Sequence, residues 1–195
     1  MQLAPGTWRL AGPVLLAAVV AAFVSPLWSV GAAILGLLIL WFHRDPDRHP
    51  PASGIVAPAD GRVSVLRRED SRVRVGVFMN VTDVHVNRAP SGGTLRERTH
   101  VPGANRPAFT KDSDRNERLH FAFDDVRVTL IAGWFARRIY PHVEPGEYVE
   151  RGERIGHVSF GSRADVLLPE RVSIDDVRVS KGDRVRAGET VLVAD

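Results

Sequence analysis

The chain has 195 residues, 44% of them hydrophobic, which is enough for one domain of ordinary size with its own core and a short appendage. It contains no cysteine, so disulfides, thiolate metal sites and cysteine nucleophiles are excluded. The net charge is +3, and no basic run or arginine-aromatic alternation indicates a nucleic-acid-binding protein.

An uncharged apolar region opens the chain. No charged residue occurs in 10–42, and Pro26 divides the region into two apolar pieces of similar length. Arg9 precedes them and Arg44 follows them, so the positive-inside tendency places both ends on the cytoplasmic side. We therefore predict that residues 1–42 form a helical hairpin in the cell membrane, spanning or re-entrant, with the rest of the protein on the cytoplasmic side.

A cleaved signal peptide is the alternative for this region. Its apolar core would be 14–24, but a second apolar piece follows directly and no small-residue cleavage site intervenes. The retained hairpin is favoured.

The remainder, 43–195, is predicted to be one mainly β domain. Runs of alternating or β-branched apolar residues at 55–66, 73–81 and 126–133 predict strands, the first with a turn at Asp60-Gly61. Most of the polar segment 98–121 is predicted to be a long loop. The segment 134–142 is expected to hold a turn or two of helix before its proline.

The C-terminal third contains an internal repeat. Segments 146–158 and 182–194 share the pattern G-[ED]-x-V-x-x-G-E-x-[IV] at an offset of 36 residues. Each copy predicts a short strand, a glycine turn and a second strand, and two copies could pair as a compact sandwich. The pattern resembles the hammerhead hairpins of biotinyl and lipoyl carrier domains, which implies a barrel-sandwich fold. In that comparison Ser162 takes the tip position of the modified lysine, and Lys181 lies elsewhere.

The pair Gly161-Ser162 lies between the apolar runs 155–160 and 166–168. Glycine and serine are common turn residues, so an ordinary turn is one interpretation. The other is a self-cleaving bond, because glycine lets a neighbouring hydroxyl approach its carbonyl closely.

Several motifs together resemble the short form of the phosphatidylserine decarboxylase family, and its archaeal archaetidylserine version equally well. They are 44-RDP-46, 57-APADG-61, 83-DVHVNRAPSGG-93, 116-NER-118, 131-IAGWFARRI-139 and 152-GERIGHVSFGSRADVLLP-169. The resemblance implies a proenzyme that cuts itself at Gly161–Ser162. The large chain, 1–161, and the small chain, 162–195, would stay together as a heterodimer or as part of a higher homo-oligomer.

The resemblance also implies a pyruvoyl cofactor made from Ser162. Decarboxylation of an amino acid needs an electron sink, and a pyruvoyl ketone provides one by forming a Schiff base with the substrate amine. Pyridoxal phosphate would need a suitable lysine. Lys111 lies in a polar loop and Lys181 near a turn, so that route is disfavoured.

The family supplies an aspartate and a histidine in triad-like roles, and these positions match Asp60 and His85. His85 would take the Ser162 hydroxyl proton and later help to reprotonate the product. Longer bacterial members have a second histidine where this chain has Arg88. Without these neighbours, Asp60 would be read as a turn residue and His85 as a packed core histidine.

Two further expectations concern ligands. Arg137 and Arg138 are either a solvated pair or the groups that grip the lipid phosphodiester. The other histidines show no metal-ligand spacing, so no metal is expected.

The predicted function is conversion of a serine phospholipid to an ethanolamine phospholipid and CO2 by a self-processing, membrane-bound carboxy-lyase of phospholipid biosynthesis. One alternative is a non-enzymatic, membrane-anchored barrel-sandwich adaptor or carrier. The other keeps the self-cleavage but acts on a different amine substrate.

Overall fold

The computed structural model describes residues 2–103, 116–133, 138–158 and 162–194. The protein is mainly β, as predicted, and the chain forms two compact units, Met1–Asp47 and Arg48–Asp195.

The first unit is built around two helices. Helix α1 spans Thr7–Ala21 and helix α2 spans Pro26–Phe42, with Pro26 in the first turn of α2, where a missing N–H is tolerated. The short strands β1 (Gln2–Leu3), which precedes α1, and β2 (Arg44–Asp45), which follows α2, pair antiparallel with each other.

The two helices pack closely against each other. Ser29 Oγ donates a hydrogen bond of 2.9 Å to the carbonyl of Ala18. A Cβ atom at Gly36 would lie 2.7 Å from Leu15 Cγ, so the glycine is what permits this approach. Large apolar side chains, such as Phe23 at 89% and Trp28 at 74% exposure, point away from the pair. Among the described residues, no helix combines the length and apolar character needed to cross a bilayer.

The second unit consists of short strands around one core. In chain order they are β3 Ile55–Val56, β4 Gly61–Glu69, β5 Arg72–Phe78, β6 Val86–Arg88, β7 Gly93–Thr94, β8 Glu97–Val101, β9 Arg118–Ala122, β10 Arg127–Ile131, β11 Ile139–Pro141, β12 Tyr148–Val149, β13 Arg154–Val158, β14 Arg163–Leu167, β15 Arg184–Val185 and β16 Val191–Val193.

Seven of these strands form one antiparallel sheet in the order β15-β4-β5-β14-β10-β9-β8. Strands β11-β13-β6 form a smaller sheet, and β12 pairs with β7 and β16 with β3. Alternation along β5 turns Val73, Val75 and Val77 into the core, which is the period expected of a sheet with one buried face. Strand β14 is the fourth of the seven strands in the order of the large sheet, so it lies in the middle of that sheet.

The internal repeat produces the predicted strand-turn-strand units, β12-β13 and β15-β16. Their turns use Gly152 and Gly188 at φ +79° and +74°. The two turns touch, since a Cβ at Gly188 would lie 3.3 Å from Gly152 Cα. The copies do not pair strand to strand, because each strand finds its partner elsewhere in the chain.

Two local predictions differ from the structure. The ends of the predicted loop 98–121 are the paired strands β8 and β9, where alternation was masked by charged side chains on a half-exposed strand pair. In the segment 134–142, predicted to hold a turn or two of helix before its proline, the described residues Ile139–Pro141 form strand β11, which pairs with β13. The middle of the loop, 104–115, and residues 134–137 lie outside the described residues.

Candidate active site

Ser162 directly precedes strand β14 and is completely buried. Its carbonyl accepts a 2.9 Å hydrogen bond from the N–H of Met79, and its Oγ lies 3.9 Å from Met79 Sδ. An ordinary turn would expose its serine to water. Gly161 lies outside the described residues, so the predicted cleavage bond itself is not described.

Asp60 lies in the bend before β4, and its carboxylate is fully engaged. Arg48 Nη2 donates to both oxygens at 2.9 and 2.7 Å, and the N–H of Ala187 donates at 2.8 Å. The following Gly61 has φ +140°, and a Cβ there would collide with the carbonyl of Phe78. The bend thus requires glycine and holds Asp60 against the second repeat.

The pKa of the Asp60 carboxyl is raised above its ordinary value. Burial is the main cause, because it disfavours the charged form, and the nearby charge of Asp83 adds to it. The Ala187 N–H and the Arg48 guanidinium oppose the rise. Asp60 is therefore a carboxylate whose charge depends on Arg48.

His85 is buried, and its Nδ1 lies 3.0 Å from the main-chain carbonyl of Asp83. A carbonyl can only accept, so this contact assigns the proton of a neutral ring to Nδ1 and leaves Nε2 as the basic nitrogen. The carbonyl of His85 accepts a 3.2 Å bond from Val158, the last residue of β13. The main chain of His85 thus lies beside the C-terminal end of β13, four residues before Ser162 in the sequence.

The three predicted residues belong to one region but are connected indirectly. Ser162 contacts Met79, and Asn87 Nδ2 lies 3.4 Å from the same sulfur. Asn87 follows His85 by two residues, and both side chains are buried. Asp83 contacts His85 through its carbonyl and interacts with the charge of Asp60.

Sequence reasoning missed four participants, namely Arg48, Met79, Asp83 and Asn87. Asn87 is wholly buried, and its Oδ1 has no hydrogen-bond partner within the described residues. The amide N–H points toward Met79 Sδ, which is only a weak acceptor. The amide oxygen is left without a partner among the described residues. Asn87 and Asp83 fall within the motif 83–93, whereas no pattern pointed to Arg48 or Met79.

The arginines of these motifs have different environments. Arg88, at the place of the second family histidine, is buried and donates a 2.8 Å bond to the carbonyl of Gly152, which joins β6 to the first repeat. Arg138 is exposed, and Arg137 lies outside the described residues. Arg163 is buried against Asp165, with Nε 2.7 Å from Oδ1.

No group of three His, Asp or Glu side chains in the described ranges has the arrangement of a metal site. The absence of a metal stays a prediction.

The sequence matches a known family over most of its length. Residues 35–193 fit the family model described as phosphatidylserine decarboxylase. The chain is 54% identical over 189 residues to a putative archaetidylserine decarboxylase proenzyme of Halobacterium salinarum, covering 96% of both proteins. It is 46% identical over 172 residues to the phosphatidylserine decarboxylase proenzyme of Streptomyces coelicolor, covering 86% of this chain and 78% of that protein.

The phosphatidylserine decarboxylase proenzyme of Thermobifida fusca is 44% identical over 209 residues and matches 100% of this chain and 95% of its own length. The residues that fit the family model include every segment on which the resemblance was based, from 44 to 169. The chain belongs to the phosphatidylserine decarboxylase family.

Proposed function

We propose that this protein is a self-processing carboxy-lyase that converts a serine phospholipid to the ethanolamine phospholipid and CO2. The relatives named as phosphatidylserine and archaetidylserine decarboxylase proenzymes support it, and they leave the non-enzymatic adaptor alternative unfavoured. The observation that carries the proposal is the complete burial of Ser162 directly before β14, the middle strand of the large sheet.

The first reaction cuts the chain at Gly161–Ser162. The Ser162 Oγ–H adds to the Gly161 carbonyl, the amide C–N bond breaks, and the proton ends on the Ser162 nitrogen, giving an ester. Loss of the Cα proton and departure of the Gly161 carboxylate from Cβ then give a dehydroalanine. One water hydrolyses it with release of ammonia, and the small chain begins with a pyruvoyl group.

The surroundings of Ser162 fit this chemistry. The Met79 N–H fixes the Ser162 carbonyl at 2.9 Å, so the position of the main chain is set before the bond breaks. Burial excludes bulk water, which would otherwise hydrolyse the ester intermediate directly and leave an unmodified serine. Ser162 would hold the pyruvoyl group, which would supply the electrophilic carbonyl and electron sink that decarboxylation of an amino acid needs.

His85 is the proposed base. Its Nδ1–H is held by the Asp83 carbonyl, so Nε2 is the nitrogen that can take the Ser162 proton and later return one to the product carbon.

In this proposal Asp60 is a positioning residue. It joins Arg48, its own bend and Ala187 of the second repeat through three charge-assisted hydrogen bonds. We propose that Arg138, exposed next to β11, and Arg137 bind the lipid phosphodiester.

The finer architecture belongs to the same proposal. The touching glycine turns of the two repeats support a barrel-sandwich of the hammerhead type in the domain 43–195. The exposed apolar side chains of α1 and α2 support attachment of residues 1–42 to the cell membrane, with the domain on its cytoplasmic side. The large and small chains would remain together, alone or in a homo-oligomer.

A gel of the purified full-length protein tests the cleavage. Wild type should run as pieces of about 18 and 4 kDa, in proportion to 161 and 34 residues of the 21.5 kDa chain. Ser162→Ala should stay whole, and Ser180→Ala, at an exposed serine, should be cut normally. Mass spectrometry should find the small chain lacking a free amino terminus. An uncut, active wild type would refute the proposal.

The substrate is tested by CO2 release from carboxyl-labelled serine lipids. Ester-linked and ether-linked serine phospholipids should be compared with free serine in the same detergent. Release from either lipid but not from free serine supports a phospholipid substrate. Release from free serine alone would support the alternative of a different amine substrate.

A further inference from the structure

A basic cavity lies on the outer face of the seven-stranded sheet, and we call it the arginine groove. It has a volume of about 550 Å³, within the usual range for small-molecule sites. Its basic and hydroxyl-bearing lining residues are Arg67, Arg68, Arg74, Arg118, His120 and Thr129. Glu69 and Asp70 also line it.

The groove is separate from the proposed active site. Ala164 and Val166 of β14 point to the core, where they belong to the hydrophobic cluster, and Ser162 Oγ lies 3.9 Å from the sulfur of Met79 in the same cluster. Asp165 points to the opposite face, where it accepts a 2.9 Å bond from Arg74 Nη1. Thr129 is the register partner of Asp165 and belongs to that face too. The sheet itself therefore separates the groove from Ser162.

The cations of the groove are only partly neutralised by protein groups. Arg74 bonds to Glu69 and Asp165, and Arg67 shares Glu69 at 3.3 Å. Neither Arg68 nor Arg118 has an ion-pair partner among the described residues. The Nε of Arg118 is buried and has no hydrogen-bond partner in that part of the chain. A buried guanidinium N–H without an acceptor is costly, so this position favours an anionic ligand.

His120 reports the electrostatic field inside the groove. Its Nδ1 lies 2.9 Å from the hydroxyl of Thr129. Its pKa is lowered first by burial and then by the positive charges of Arg118, Arg127 and Arg74, which Glu97 offsets in part. The positive charges thus outweigh the negative ones at the position of the imidazole.

We propose that the arginine groove binds a phosphate-bearing anion. Guanidinium groups offer planar pairs of donors that match phosphate oxygens, and the Thr129 hydroxyl can add a further donor. The volume accommodates a phosphate together with an attached organic group. The anion would be either the headgroup of an acidic phospholipid or a soluble phosphate compound, and the same contacts serve both.

The test uses the imidazole signal of His120 in the full-length protein, followed by NMR in a neutral detergent. Inorganic phosphate should raise the pKa of His120 and shift its signal saturably, because the bound anion offsets the three arginines. Arg118→Gln should weaken phosphate binding about tenfold or more. Arg178→Gln, at an exposed arginine outside the groove, removes the same charge and should leave the affinity unchanged.

A second arm identifies the source of the phosphate. Phosphatidylcholine vesicles with added phosphatidic acid should compete with inorganic phosphate for His120 if the ligand is a lipid headgroup, and should leave its shift unchanged if the ligand is soluble. Arg118→Lys, which retains a positive charge, should recover part of the affinity if the variants remain folded. The proposal is overturned if neither probe shifts His120, or if Arg118→Gln binds phosphate as wild type does. Neither result depends on decarboxylase activity.

Discussion

Arg48 and Asp60 form a partly buried ion pair, in which one guanidinium nitrogen lies 2.9 and 2.7 Å from the two carboxylate oxygens. Arg48 also reaches Glu189 of the second repeat at 3.2 Å. The pair therefore fixes the bend at Asp60 relative to the C-terminal part of the fold, and it controls the charge of a proposed site residue.

Removing Arg48 should change the pH dependence of self-cleavage. The pKa of Asp60 already lies above its unfolded value of 3.8, so its charged form is lost as the pH falls through a value higher than 3.8. Arg48→Gln removes an opposing charge and should raise that pKa further. The acid limb of the cleavage rate, measured on freshly made precursor, should move to higher pH, whereas Arg48→Lys should move it less. An unchanged acid limb would mean that Asp60 does not control cleavage.

Replacing Asn87 should increase the stability of the protein and reduce its activity. Its buried Oδ1 lacks a partner within the described residues, and such a group costs about 1–3 kcal/mol. Asn87→Leu, of similar size, should therefore raise the free energy of unfolding while slowing cleavage or decarboxylation. Asn116→Leu is the matched control. The Asn116 amide donates 2.8 Å to the carbonyl of Ala132, so its replacement should destabilise the fold. A less stable but fully active Asn87→Leu protein would contradict the prediction.

Glu69 should make the protein sensitive to acid. Its pKa is lowered, chiefly because Arg74 donates a hydrogen bond to the charged form. This contribution to stability is present above the unfolded pKa of 4.5 and is lost as the pH falls through the lower, folded value. Thermal unfolding followed by circular dichroism should show a shallower loss of stability below pH 4.5 in Glu69→Gln than in wild type. Glu170→Gln, at an exposed carboxylate, should keep the wild-type slope.

Gly76 should not tolerate even a methyl group. A Cβ there would lie 2.6 Å from Asp165 Oδ1 and 2.9 Å from Val65 Cβ, inside the normal contact distances. Gly76→Ala should lower the free energy of unfolding in urea by about 1–3 kcal/mol. Gly93→Ala is the control, because the nearest atom to its Cβ would be at 3.5 Å. Equal stability of the two variants would show that the sheet yields at Gly76 without cost.

The sequence predicted the strands whose apolar residues alternate or cluster, because that pattern is set by burial of one sheet face. It predicted both halves of the internal repeat for the same reason, together with the glycine turns. It could not predict that β12, β13, β15 and β16 would each pair with distant strands, since register depends on the whole core. Strands β8 and β9 were missed because Arg98, His100 and His120 resemble loop residues when their pairing is unknown.

The candidate site was predictable only where a motif contained it. Asp60, His85 and Ser162 lie in motifs that resemble a known family, and their roles stay predictions. Arg48 contributes to the site through a contact with Asp60, and Met79 through contacts with Ser162 and Asn87. Such contacts are formed by folding, and no local spacing encodes them.

The placement of β14 has a consequence for the order of events in the life of the molecule. Its two edges are occupied by β5 and β10, so a rupture just ahead of Ser162 would leave the 162–195 fragment interleaved with the remainder of the polypeptide. The halves would be covalently distinct yet inseparable without melting the sheet. Self-cleavage would then have to follow folding. A cleaved enzyme that is denatured would have to refold from two separate chains.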